Sequence, residues 1–214
     1  MTHVYVDEKI RHIVNQLEEQ EEINSQSIYE GVIVNDEKYE FAEQSFFDDR
    51  LKIYIPTVFE DMPAEWARLK YPSEDRPQVI KTDQTGEINI TLSYISNDID
   101  EEAIPEIKDL VKMLLRKQNP SYLFVGEGVE NVAEKTAAFM EFKSPTMGEP
   151  LYQYRFFLEM ERSVIMGIFS CPFAVYKAWQ PIARQIMQSV RVMPAVPPAD
   201  PELSWKGAQA NGIR

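Results

Sequence analysis

From Tyr39 onward the chain alternates apolar and polar residues with period two, the spacing of strands with one face turned to a core. The alternation predicts strands over 39–47, 51–56, 78–83, 87–96, 122–132, 135–143, 150–161 and 163–171. The clearest is 87–96, where Ile88, Ile90, Leu92 and Tyr94 face one way and Glu87, Asn89, Thr91 and Ser93 the other. In 150–161, Tyr152, Tyr154, Phe156, Leu158 and Met160 oppose Gln153, Arg155, Phe157, Glu159 and Glu161, so the second face is expected to be partly wet. Gln84-Thr85-Gly86 and Glu161-Arg162 are turn signals between neighbouring strands and predict hairpins.

Helical spacing replaces this alternation in two long stretches. The first follows the acidic NDIDEE at 97–102, expected to cap a helix over 104–118 whose stripe is Ile104, Ile107, Val111 and Leu114. The second runs from about Ala174 to Arg191 through Val175, Ala178, Trp179, Ile182, Ile186 and Val190, and Pro181 is expected to kink or restart it. A shorter helix over 63–71 begins at Pro63. Strands in groups, with helices between and after them, define an α+β protein with a largely antiparallel sheet flanked by helices.

This order of elements resembles the PsbP-like superfamily. The segments that carry the resemblance are RLKIYIPTVFEDMP at 50–63, the hairpin 78–96, the helix 104–118, the meander 122–171 and the closing WQPIARQIMQSVRV at 179–192. The superfamily includes the photosystem oxygen-evolving subunit P, a nuclear Ran-GTPase release factor, bacterial envelope lipoproteins and type VI secretion effector chaperones. The resemblance spans about 37–192 and implies an α/β/α sandwich. It transfers no chemical motif, and it implies an adaptor or chaperone that binds protein.

Charge divides the chain. The formal net charge is −13, and residues 1–50 hold 13 acidic and 4 basic side chains, against 20 and 16 in 51–192. Three parts are expected: an acidic helical extension over 1–36, a PsbP-like domain over 37–192 and a proline-rich flexible tail over 193–214 that contains Trp205. The extension includes an amphipathic helix over 7–22, with Ile10, Ile13, Val14 and Leu17 on one stripe. Its charge is opposite to that of 174–191, whose charged residues are Lys177, Arg184 and Arg191. An acidic surface repels phosphate backbones and anionic lipid, so neither nucleic acid nor stable membrane insertion is expected. With one cysteine, no secretory leader pattern and an apolar run at 164–176 too short to span a bilayer, the sequence points to the cytoplasm.

A search for chemistry finds no catalytic constellation, and no cofactor or metal is expected. His3 and His12 lack metal-ligand spacing. Cys171, between an apolar strand and Pro172, fits a core thiol. Gly126-Glu127-Gly128 lacks the rest of any phosphate-binding fingerprint and fits a bulge or close packing site in a strand. Asp98, Asp100 and Glu102 imitate the start of a calcium loop but are better used in capping. Aromatic residues are more informative. Phe46, Phe47, Phe59 and Trp66 cluster in the first third of the body, while Phe157 interrupts a polar strand face beside Arg155. These six are the candidate partner-binding residues, an apolar groove on the sheet with Arg155 at its rim. The expected function is a non-enzymatic protein-binding adaptor or chaperone, with secretion as one setting and a homodimer as one form of partnership. The alternative is a small-molecule or lipid-binding domain using an aromatic cavity beside the sheet.

Overall fold

The computed structural model describes residue 14, residues 20–96 and residues 98–194. The proposed helix 7–22 therefore lies largely outside the described residues, as do His3, His12 and Trp205; within it, residues 14 and 20–22 are helical, and the helix runs on to 25.

β1 (Val32–Val34) and β2 (Glu37–Tyr39) form a hairpin, and β3 (Phe41–Phe46) with β4 (Leu51–Pro56) forms the next. β5 (Glu60–Asp61), α1 (Ala64–Lys70), β6 (Val79–Thr82), β7 (Asn89–Ser96) and α2 (Ile104–Gln118) lead to the long strands. These are β8 (Leu123–Val132), β9 (Lys135–Ser144), β10 (Leu151–Met160) and β11 (Ser163–Pro172), followed by α3 (Tyr176–Gln188) and β12 (Arg191–Val192). The main sheet is antiparallel with seven strands in the order β5-β6-β7-β11-β10-β9-β8; β12-β4-β3 is a separate three-stranded sheet. Paired left-handed residues turn three hairpins: Asn35-Asp36, Ala133-Glu134 and Glu161-Arg162.

Both faces of the main sheet are covered. On one, Tyr152, Tyr154, Phe156 and Leu158 of β10 meet Trp179, Ile182 and Ile186 of α3. On the other, Ile104 and Leu115 of α2 pack with Ala138, Met140, Phe142 and Phe157. The face of β10 expected to be partly wet therefore lies under α2 in this stretch. Glu159, expected in water, is buried, accepts the Arg162 N–H at 2.6 Å and pairs with Lys135 at 2.5 Å.

Trp179 joins the separate sheets. Its ring lies 5.0 Å from Tyr39 of β2, 6.5 Å from Phe59 after β4 and 5.4 Å from Phe169 of β11. Ile28, Val32 and Val34 enter the same core, and the expected boundary between 36 and 37 falls in the turn of the β1–β2 hairpin. These three residues, which precede that boundary, are thus part of the core. Glutamine amides, rather than ion pairs, hold the described part of this segment to α3. Gln185 accepts the Ile28 N–H at 3.1 Å and donates to the Gln26 carbonyl at 2.9 Å.

Two local expectations give way to their surroundings. α3 runs without interruption through Pro181. Proline removes the bond to the carbonyl four residues back, that of Lys177, and this carbonyl accepts from Gln20 Nε2 at 3.4 Å instead. The acidic run before α2 makes no side-chain cap; Asp98 and Asp100 pair with Arg162 at 2.5 and 2.7 Å.

Cys171 is the expected core thiol, fully buried, with burial pushing its pKa up to about 12. Truncation of Trp179 to alanine leaves a cavity at the meeting point of the sheets and should cost about 3–5 kcal/mol in urea unfolding. Cys171 in the native protein should resist alkylation under conditions where it reacts freely in Trp179→Ala near its unfolding midpoint; prompt modification of the native thiol would contradict this packing.

Candidate functional site

The six residues singled out from the sequence do not gather into one groove. Phe59 and Phe157 are 3% and 1% exposed, the first against Trp179 and the second under α2, so both are spent on packing. Phe46 and Phe47 pack partly buried on the main core, Phe46 beneath Lys81 and Phe47 against Tyr94 at 6.0 Å. Trp66 is exposed on α1, beside Gly86. Arg155 is half-buried on the α2 face; its guanidinium donates twice to Gln153 Oε1 and stands 5.2 Å over the Phe142 ring. Burial lowers its pKa to about 10.

A different place combines an open edge with a cleft. Among the described residues β8 pairs only with β9 and forms one border of the main sheet. Leu123 and Val129 are 59% and 51% exposed along it, and Val125 is also exposed. Beside this strand, between β8, β9 and α3, lies a cleft of about 840 Å³. Gly126 and Gly128 open it: a Cβ at 126 would collide with the Glu141 carboxylate, and one at 128 would come within 2.8 Å of the Phe139 ring. The strand slips register between Phe124 and Gly126, so the expectation of a bulge and close packing at this Gly-x-Gly is met.

Glu141 of β9 forms part of the cleft wall and is only 9% exposed. Its Oε2 accepts from the Tyr152 hydroxyl at 2.6 Å and from Gln180 Nε2 of α3 at 2.7 Å. Oε1 lies over Gly126 and accepts no side-chain hydrogen bond among the described residues, and no cation pairs with the carboxylate there. Burial, and then the Glu141 hydrogen bond, push the Tyr152 phenol up, so it remains a donor at neutral pH. Arg184, the basic residue of the lining, pairs with Glu130 and lies 5.8 Å over the Phe139 ring. Phe139 in turn stacks on Tyr154 at 5.2 Å.

Of this site, the sequence exposed only the two glycines. Glu141 carried a signal, a lone carboxylate between Met140 and Phe142, but its meaning depends on the pairing that sets Gly126 opposite it.

No protein-family model matches the sequence, and no curated protein does. Solved structures do match. The solution structure of cyanobacterial PsbP (CyanoP) from Synechocystis aligns at TM-score 0.55 and 9% identity, over 72% of this chain and 92% of that one. LpqN, involved in cell envelope biogenesis of Mycobacterium tuberculosis, aligns at 0.49 and 12% over 75% and 95%. The Saccharomyces cerevisiae Ran-binding protein Mog1p aligns at 0.44 and 9% over 72% and 96%. The likeness shows the fold alone: the chain is a PsbP-like α/β sandwich.

β8 is tied to α2 through Glu127, which accepts from Lys112 at 2.5 Å and Lys108 at 2.9 Å. These bonds, that from Lys112 foremost, lower the Glu127 pKa to about 2. A depressed carboxylate stabilises the fold above its unfolded pKa of about 4.3, and that contribution fades as pH falls toward the folded value. Glu127→Gln should therefore lower the urea midpoint at pH 7, modestly because the pair is partly solvated, and the difference from the parent should shrink steadily between about pH 4.5 and pH 2. A difference that stays constant over that range would mean the charge is not what ties the strand.

Proposed function

We propose that this chain is a non-catalytic, cytoplasmic protein-binding module, an adaptor or chaperone, that takes up an extended segment of a partner along β8. The observation that carries the reading is the edge itself: ten residues of strand with one side unpaired among the described residues and apolar side chains exposed beside it. Such an edge offers a row of backbone donors and acceptors, and an incoming strand satisfies them whatever its sequence.

Proteins commonly guard a free edge with charge. Here the two charged residues of β8 are engaged elsewhere, Glu127 by the lysines of α2 and Glu130 by Arg184 and Gln188 of α3. They leave the edge open to pairing. A chaperone attached to a secretion effector is one setting in which a client strand would be held in this way. The alternative, a small-molecule or lipid site walled by aromatics, has less support, because Phe59 and Phe157 are packed in two separate cores.

A photo-reactive benzoylphenylalanine placed at Val129 should give a discrete adduct with one identifiable protein in cells. The same group at Met147, an exposed position in the β9–β10 loop, should not. Val125→Pro, which disturbs the edge, should abolish the Val129 adduct while circular dichroism confirms the fold. Equal labelling from both positions would reject β8 as the docking element.

A further inference from the structure

We infer that the segment taken up by β8 is basic, and that one of its lysine or arginine side chains enters the cleft and pairs with Glu141. The inference rests on the reading of β8 as a docking edge and adds the chemistry of the partner. A strand paired to β8 turns alternate side chains toward the α3 face, where Gly126 and Gly128 present no Cβ. It lies about 4.8 Å beyond β8, the ordinary strand spacing. Glu141 Oε1 already reaches out over Gly126, so only that one spacing separates it from the newcomer, well within the reach of a lysine or arginine side chain.

The electrostatics favour a cation at this point. Tyr152 and Gln180 hold Oε2, while Oε1 faces the cleft with no cation paired to the carboxylate among the described residues. A strand that closes over the cleft takes Oε1 out of water, and a buried carboxylate oxygen is costly unless it gains a partner. Of the three carboxylates in the cleft lining, Glu127 is paired with Lys108 and Lys112 and Glu130 with Arg184, which leaves Glu141 as the one without a cationic partner among the described residues. An apolar side chain would leave Oε1 without a partner and shut away from water. An acidic one would add repulsion. The net charge of −13 acts in the same direction at longer range, drawing a basic segment toward the surface.

The test uses the full chain and three short labelled peptides of alternating valine and threonine that differ at one central position: lysine, leucine or glutamate. Fluorescence anisotropy should show the lysine peptide binding about 10-fold tighter than the leucine peptide, the scale of a charge-assisted hydrogen bond, with the glutamate peptide weaker still. Glu141→Gln keeps an acceptor for Tyr152 and Gln180 and replaces the charged oxygen that faces the cleft with a neutral amide NH2. It should bring the lysine and leucine peptides to equal affinity with an unchanged melting temperature, and added salt should erode the lysine preference in the parent alone. Equal binding of lysine and leucine peptides by the parent, or a lysine preference that survives Glu141→Gln, overturns the inference. If the Val129 adduct persists in that case, β8 still docks a partner and only its basic character is wrong. Failure of all three peptides, or a Val129 adduct that joins two copies of this chain, also overturns it.

Discussion

The architecture follows from one constraint: the central strand β11 is apolar on both faces, and β10 adds a full apolar row to one side and Phe157 to the other, so the sheet needs a layer on each side. α2 supplies one layer, and α3 supplies the other together with the hairpin β1–β2 and the sheet β12-β4-β3. Trp179 holds the second layer together, because its ring touches residues from β2, from the segment after β4 and from β11. The helices make their principal contacts over the centre of the sheet, α2 against β9 and β10 and α3 against β10 and β11. Covering the centre leaves the margin open. Apart from Phe124 and Val132, which pack on the two cores, β8 meets the helices through long polar side chains among the described residues, Lys108 and Lys112 on one face and Arg184 and Gln188 on the other.

Period-two alternation carried the strands, because hydrophobic pattern and backbone geometry agree over ten-residue stretches. What alternation does not reveal is what lies on the less apolar face. Gln153, Arg155, Phe157 and Glu159 read as a partly wet row, yet α2 covers Phe157 and Glu159 is buried beside Lys135. The single phenylalanine in that row was the readable sign of a second layer, and the apolar stripe of 104–118 needed a surface of this kind. Pro181 shows the limit of a local rule. Its effect on helix hydrogen bonding is real, but a side chain from 157 residues earlier takes the orphaned carbonyl, and packing on the main core keeps the helix whole.

The site was less legible for a topological reason. Gly126 and Gly128 announced that something approaches the backbone closely, but a glycine does not say what. The answer, Glu141 and Phe139, lies on the next strand and is selected by a register shifted at the bulge. The aromatic clustering that suggested a groove was a feature of sequence distance only. Folding sends Phe59 to one face of the sheet and Phe157 to the other.

Pairing along a strand edge is indifferent to sequence, since every residue except proline presents the same backbone groups. Discrimination between partners, and between registers of one partner, must therefore come from side chains. A shift of one residue turns every side chain of the incoming strand to the opposite face. The apolar residues exposed along β8 reward many sequences in many registers, whereas a lone buried carboxylate over Gly126 rewards only a cation at one place on one face. Long-range acidity can bring a basic segment near but is blind to register, because charges separated by more than about 10 Å are largely screened in salt. Glu141 is thus the element able to fix how a strand sits, and the Tyr152 and Gln180 bonds that orient it supply that selectivity before any partner arrives.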